Sequence, residues 1–448
     1  MTVEFMDRFM SWVHDENAIW VHMGPQAREA LGMPAFQPLP FIRGASLPEL
    51  KHWLSGSRRP VHCLPYEAMP LLEDMAREYT DLRILCPPQR IKAKFDDRAF
   101  VRDMLPRIGV RTLRGEGAQL DVLDFRACTE HYGVPFAIQF PYRTGKEVHA
   151  VTDPRDLKSL KEKFGGIPVH VTVYAAGPFI NTHAVILEDR RGLHVLAGPL
   201  SVEFRGNRET SPAGITPIGS DFRAMERIPL ARLIEIQQLA RRIGKWMAEQ
   251  GYRGLYGADF SVGDHATLVA LRPSLQPSTS LVTQLCYERK EALHLAAHMA
   301  QFFPSAPRPT PRERSRQYEL SFVPLKGSQL ILYNDGSENL RVTNSLREGV
   351  YRPGAGAPRY IRPGASISEL KDEQEFLILC GSPGRAELFD PGARLITLQA
   401  RTSFFAPDLK NLTPRFRGLC DELIRTLNPK PEKGLVADSA LLYTNSDT

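Results

Sequence analysis

The stretch GLYGADFSVGDHATLVALRP, Gly254 to Pro273, sets the tightest limit on how this chain can fold. Two segments of alternating apolar residues flank a short polar turn, the pattern of an antiparallel hairpin with one buried face. Phe260, Val262, Val269 and Leu271 fall on the core side. Asp259, Ala270 and Arg272 share the other side, and the turn decides how they meet. With Asp264 and His265 at its centre, Asp259 lies opposite Ala270 and Arg272 is its diagonal neighbour. Diagonal pairs are ~7–8 Å apart at the backbone, within reach of an arginine side chain. With Gly263 and Asp264 at the centre, Arg272 lies ~13 Å beyond the residue facing Asp259, too far for a direct pair.

Around this hairpin the chain alternates strands and helices. Residues 1–90 carry the strand patterns AIWVHMG and LRILCPP and the helical patterns SLPELKHWLSG and YEAMPLLEDMAREY, a small α/β domain. Residues 91–303 open on a helix and give the strand PFAIQFP, a loop and return strand in YRTGKEVHAV, and the Asp153-capped helix DPRDLKSLKEKFG. Strands from VHVTVYAAGPFINTHAVILEDRRGLHVLAG follow, then the amphipathic helix PLARLIEIQQLARRIGKWMAEQGY, the hairpin and a last helix. Pro- and Arg-rich residues 304–316 read as a linker. Residues 317–430 give short strands between Gly/Pro turns and a closing helix, LTPRFRGLCDELIRTLN, and residues 431–448 read as a loose tail.

A length of 448 residues exceeds one compact core. Net charge is +6 with both signs interspersed, a solvated surface rather than a nucleic-acid footprint. No stretch approaches the ~20 apolar residues that span a bilayer, and the first residues lack a cleavable signal pattern. A cytoplasmic protein with no nucleic-acid or membrane partner is expected. The six cysteines are scattered without a CxxC pair, which supports neither zinc nor a disulfide framework. His294 and His298 share a helix face, but no acid lies between them, and a helix facing partly to solvent is the plainer expectation.

The order and spacing of FDDRAFVRDMLPRIGVRT, PFAIQFPYRTGKEVHAV, VTVYAAGPFINTHAVI, GYRGLYGADFSV and LVALRPSLQPSTS resemble the ATP-grasp superfamily, in particular carboxylate–amine ligases and biotin-carboxylase-like enzymes. The resemblance covers roughly residues 80–300. It implies an α/β (α+β) architecture: an N-terminal α/β domain, a two-lobed ATP-grasp core and a small β-rich C-terminal domain. It also implies ATP, Mg²⁺ and an acyl-phosphate intermediate. That chemistry needs cations around the phosphates, hard oxygen ligands for the metal and a loop whose backbone closes on phosphate.

Carried over residue by residue, the resemblance places the family's first ATP-binding lysine at Arg98, with Lys92 and Lys94 just upstream as substitutes. The second lysine falls on Gln139, where the charge is gone. The phosphate loop keeps one glycine, Gly145, with Arg143 and Lys146 supplying charge; an ordinary polar hairpin explains the same residues equally well. The adenine-side segment offers Tyr174 but no evident ribose-binding acid. Asp259 matches the first metal ligand, but the family's glutamate, asparagine and arginine fall on Ala270, Arg272 and Ser274. Alanine has no donor for a metal and arginine carries the wrong sign. The loop that follows supplies Gln276, Ser278 and Thr279, which together with Arg272 suit a bound carboxylate.

Three readings follow. The first is a ligase-like protein without ligation chemistry, with ATP as an expected ligand and Mg²⁺ not expected, partnering an active ATP-grasp enzyme or a second copy of itself. The second is an active ligase in which Asp259 holds metal with help from Glu203 or Asp264. The third is a module that binds a nucleotide or carboxylate without chemistry. The first is favoured, because Gln139, Ala270, Arg272 and the glycine-poor loop together remove metal ligation and much of the phosphate charge.

Overall fold

A computed structural model of the chain describes residues 19–23, 54–56, 58–65, 68–140, 148–189, 192–206, 215–289, 294–308, 325–334, 338–354, 356–379, 388–389 and 392–432, with single positions 8, 11, 12, 51 and 336. The expected phosphate loop with Arg143 and Lys146, most of the linker and most of the tail lie outside the described residues.

The N-terminal unit is a parallel sheet of β1 (Ile19–Met23), β2 (Val61–Pro65) and β3 (Leu82–Ile84). Helix α1 (Pro70–Glu78) crosses between β2 and β3, with Pro70 pre-setting its first turn. It buries Leu72 and Met75 against Val61, Cys63 and Leu82. Two short helices follow, α2 (Gln89–Asp96) and α3 (Arg98–Met104). Asp97 separates them, its carboxylate accepting the Ala99 and Phe100 N–H groups and so capping α3.

The next unit is an antiparallel sheet of β4 (Gly115–Gln119), β5 (Phe136–Gln139), β6 (Val148–Val151) and β7 (Pro168–Val173), in the order β4-β7-β5-β6. Helices α4 (Phe125–Tyr132) and α5 (Pro154–Phe164) cover one face. A capping box between Asp153 and Asp156 starts α5 where the sequence places it. Phe136, Ile138, Val171, Leu157 and Leu160 fill the core beneath them.

The remaining chain is organised on one ten-stranded sheet. Its first half comprises β8 (Phe179–Asp189), β9 (Gly192–Arg205), β10 (Ile215–Asp221), β11 (Gly254–Val262) and β12 (Ala266–Arg272). Helix α6 (Leu230–Glu249) packs on one face through Ile236, Ile243, Trp246 and Met247. Helices α7 (Thr279–Glu288) and α8 (His294–Ala300) pack on the other, against Val185, Leu187, Leu196 and Leu255. Further along that second face the side chains turn polar: Asn181, Ser201, Glu203 and Asp259.

The C-terminal region supplies β13 (Ser328–Asn334), β14 (Asn339–Val342), β15 (Gly349–Arg352), β16 (Arg359–Arg362), β17 (Phe376–Leu379), β18 (Leu388–Phe389), β19 (Arg394–Ala400), helix α9 (Pro414–Leu427) and β20 (Pro429–Glu432). The large sheet runs β12-β11-β8-β9-β10-β13-β19-β17-β15-β16, antiparallel throughout. The linker therefore divides the sequence but not the sheet, because β10 pairs with β13 over Ile215–Asp221 and Ser328–Asn334.

Two expectations are corrected. Helix α8 does not face solvent: all seven of its residues are buried. It is held on both sides, His298 Nδ1 accepting the Leu255 N–H at 2.9 Å and His298 Nε2 donating to the Leu85 carbonyl at 2.9 Å. The segment after α9 is not loose from its start. Pro429–Glu432 pairs with Asn339–Val342, and Glu432 bonds Arg341 through Nε and, at 2.7 Å, Nη2. No described helix is long and apolar enough to cross a membrane.

Candidate functional site

The hairpin β11–β12 pairs Asp259 as the first of the two sequence registers expects, but its turn matches neither. Val262 faces Ala266, which centres the turn on Asp264. A β-bulge then shifts the pairing between Asp259 and Phe260, so that Asp259 faces Ala270 and Arg272 faces Gly257. The bulge also puts Leu268, rather than Val269, opposite Phe260 in the core. Arg272 thus reaches Asp259 diagonally, donating from Nε to Oδ2 at 2.8 Å.

Asp259 is fully buried, and every contact on it is a donor. Arg205 Nη2 donates to the same Oδ2 at 3.1 Å and Asn181 Nδ2 to Oδ1 at 2.5 Å. Arg205 also bonds Glu203 at 3.2 Å, and Arg272 reaches Glu203 at 3.5 Å. The Phe179 ring lies under the Arg205 guanidinium, 4.1 Å from its centroid, and adds a cation–π contact. Burial alone would push the Asp259 carboxyl up. The Arg272 and Arg205 charges and the Asn181 bond outweigh it and hold that carboxyl below its usual range. Glu203 goes the other way, raised by burial and by the Asp259 charge against the pull of Arg205.

Two carboxylates and two guanidiniums cancel in this cluster. A divalent ion needs free carboxylate oxygens and an uncompensated negative field. Here both Asp259 oxygens are engaged by donors and a guanidinium stands at Arg272. Asp264 is exposed in the turn, at the opposite end of the hairpin from Arg272. Among the described residues no three His, Cys, Asp or Glu side chains are grouped to hold a metal.

The loop after β12 folds over this face. Gln276 is buried, its N–H donating to Thr279 Oγ1 at 2.8 Å and its Nε2 to the Ser274 carbonyl at 3.0 Å. Its side chain rests on Gly257, where a Cβ would stand 2.5 Å from Gln276 Cδ. Ser278 is also buried and bonds His183 Nε2 at 2.8 Å, while His183 Nδ1 faces the Pro199 carbonyl at 3.3 Å. Burial pushes His183 down to about 4, so the ring is neutral and Ser278 donates to it. Thr279 opens α7, its carbonyl accepting the Thr283 hydroxyl. These residues tie the loop to the sheet.

The second cluster lies where α3 meets the four-stranded sheet. Arg98 Nη1 donates to Gln139 Oε1 at 2.8 Å, so the two positions assigned to the family's lysines do meet. Arg102, one turn further along α3, donates to the same oxygen at 3.1 Å. Lys92 is buried and paired with Asp96 at 2.6 Å within α2, whereas Lys94 is exposed on that helix. Tyr174 is 46% exposed just beyond β7.

Sequence reasoning missed Arg205, Asn181, Arg102 and His170. Arg205 had a signal: Ser201, Glu203 and Arg205 alternate as polar residues along β9. Asn181 and His170 had none, since their partners come from strands far away in the chain.

No family model matches the sequence, and no curated protein matches it either. Solved structures do match. The biotin carboxylase domain dimer of the Hydrogenobacter thermophilus 2-oxoglutarate carboxylase, in complex with MgADP, ADP and bicarbonate, aligns with a TM-score of 0.54 at 12% identity, over 89% of this chain and 84% of that one. The carboxyaminoimidazole ribonucleotide synthase from Aspergillus clavatus, complexed with ATP, aligns with a TM-score of 0.53 at 10% identity, over 92% and 100%. The N5-carboxyaminoimidazole ribonucleotide synthetase from Thermus thermophilus aligns with a TM-score of 0.51 at 13% identity, over 97% of both chains. The likeness is one of fold: the chain has the ATP-grasp architecture.

Proposed function

We propose that this ATP-grasp-fold protein has lost ligation chemistry and serves as a structural or regulatory partner of an active enzyme. The observation that carries this reading is the saturation of Asp259: Arg272 at 2.8 Å, Arg205 at 3.1 Å and Asn181 at 2.5 Å occupy the carboxylate that would begin a metal site. Acyl-phosphate formation needs charge on the transferring phosphoryl group to be neutralised as it moves. Ala270 and Arg272 supply no ligand for a cation that would do so. Removing that stabilisation costs several kcal/mol of barrier on the scale of ~1.4 kcal/mol per tenfold in rate.

The test is calorimetric titration with ADP and ATP, in Mg²⁺ and in EDTA, beside an assay for ADP release from ATP over candidate carboxylates and amines. The expected result is no turnover and a binding constant indifferent to Mg²⁺. Tight Mg²⁺-dependent binding with ADP production would instead establish an active ligase with a rearranged site. A nucleotide-binding module without chemistry is a second reading, favoured by the basic cluster on α3. It predicts Mg²⁺-indifferent nucleotide binding with no enzyme partner recovered from native extracts. The first reading predicts a complete ATP-grasp enzyme in the same complex, and a lone homodimer would count against that regulatory role.

A further inference from the structure

The polar floor beneath the loop after β12 extends well past Asp259. The ladder pairs put Glu203 of β9, Ser220 of β10, Gln329 of β13 and Gln399 of β19 in one row across the large sheet. Asp259, Asn181 and Ser201 form the neighbouring row. Asn181, Ser201, Ser220, Gln329 and Gln399 are all buried. Polar side chains enclosed in this number cost free energy unless each finds a partner.

The loop lies across this floor. Gln276, Pro277 and Ser278 are consecutive, yet they meet three different strands. The Gln276 side chain rests on Gly257 of β11. The Pro277 carbonyl accepts from Gln329 Nε2 of β13 at 2.9 Å, and Ser278 Oγ donates to His183 Nε2 of β8 at 2.8 Å. In the order β11-β8-β9-β10-β13 the outer two strands are four places apart. On a flat sheet that is ~19 Å. Adjacent residues bridge it because this face is concave and the loop sits in the hollow. The bond from β13 is fixed from behind: Gln399 Nε2 donates to Gln329 Oε1 at 2.9 Å and so turns the Gln329 amide nitrogen toward the loop. Strands that follow the Pro/Arg-rich segment thus hold a loop that precedes it.

The tip is otherwise self-contained. The Gln276 N–H donates to Thr279 Oγ1 at 2.8 Å and the Thr279 N–H to the Gln276 carbonyl at 2.9 Å. Two neutral hydrogen bonds and one close contact therefore tie it to the sheet among the described residues. Against them stand three buried atoms without a hydrogen-bond partner: Asn181 Oδ1, Ser201 Oγ and Gln276 Oε1. Each loses its hydration while the loop is seated and regains it when the loop lifts.

We propose that Gln276–Ser278 is a strap which the C-terminal half latches over this floor through Gln329, and that it lifts well short of global unfolding. The contact is autoinhibitory and goes beyond lost ligation chemistry, because it governs access to the cluster around Asp259 whatever that cluster can do. Both ends of the strap are pinned by other groups, which confines the motion to its tip. Leu275 is buried in the core on one side. On the other, α7 stays docked, Gln284 Oε1 accepting the Ile367 N–H at 2.9 Å and Glu288 pairing with Arg401 at 2.5 Å.

The experiment is amide hydrogen exchange of the full chain, read by mass spectrometry over peptides spanning Ser274–Ser280, with α6 as the reference for global unfolding. The strap peptides are expected to exchange faster than α6 in the unaltered protein. Gln329→Met is expected to speed them by about fivefold to tenfold, the scale of one neutral hydrogen bond, with α6 unchanged. Gln399→Met, which frees the Gln329 amide to turn, gives a smaller increase in the same peptides. Ser278→Ala removes the bond to β8 with little change in volume, and it carries the test if Gln329→Met folds poorly. Strap protection equal to that of α6 in the unaltered protein would overturn the proposal, since the strap would then open only on unfolding. An unchanged strap rate in these variants would overturn it, as would equal acceleration of strap and α6, which would report a loss of overall stability and no latch.

Discussion

Replacing Asp259 with asparagine separates a structural carboxylate from one poised for a metal. The substitution keeps the volume and removes one negative charge from a cluster of two acids and two arginines. Three bonds end on this side chain, at 2.5, 2.8 and 3.1 Å, and two of them come from guanidiniums. Charge-assisted bonds contribute ~1.5–3 kcal/mol each, and leaving one member of a buried pair uncompensated costs ~3–5 kcal/mol. Asp259 itself is 0% exposed, but each arginine is 30% exposed and can regain some hydration. Arg205 also keeps Glu203 at 3.2 Å. The lower end therefore applies, and a loss of ~3 kcal/mol is expected. Urea unfolding in EDTA, followed by the fluorescence of Trp246 in the core beneath this sheet, measures it. A carboxylate awaiting a metal would behave oppositely. It would sit against Glu203 in a field of like charge, and its removal would leave stability unchanged or raise it. A midpoint equal to or above that of the unaltered protein would refute the compensated cluster.

Three further outcomes follow from the same geometry. Ala270→Glu with Arg272→Asn should not create a Mg²⁺ site, because Arg205 remains on Asp259; adding Arg205→Ser should, as read by Mg²⁺ calorimetry without nucleotide. Glu375 is held down to about 2 from 4.5, first by its bonds from Arg362. A depressed acid lends stability that is complete above its unfolded value and fades as pH falls from 4.5 toward 2. Glu375→Gln should flatten the acid limb of the unfolding curve in that window, and an unchanged limb would contradict the assignment. Gly257→Ala drives a Cβ to 2.5 Å from Gln276 Cδ. A loss of ~1–3 kcal/mol is expected from such overpacking, with faster proteolysis of the loop after β12 as a second readout.

What the sequence disclosed depended on how local the determinant was. The Asp259–Arg272 pair was legible because a hairpin has a period and a turn, and only two registers needed weighing. The bulge was not legible, since both registers assume a regular ladder from the turn to Asp259 and the shift falls inside it, between Asp259 and Phe260. The meeting of Arg98 with Gln139 followed from family order alone. Arg205 and Asn181 come from other strands, 54 and 78 residues from Asp259, and only the sheet order brings them together. Burial of His294 and His298 was likewise hidden. Short amphipathic-looking helices reveal one packed face, whereas α8 is enclosed by β11 on one side and by the Leu85 backbone on the other.

The shared sheet has a practical consequence for anyone dividing this protein. The Pro/Arg-rich segment invites a cut, yet removing everything after it would strip β10 of β13 along seven residues, Ile215–Asp221, and leave it an edge strand beside β9. The bared backbone would recruit any available strand, most readily from another copy of the fragment. Truncation there should yield an aggregating half rather than an autonomous lobe, and a fusion or exchange point belongs elsewhere in the chain.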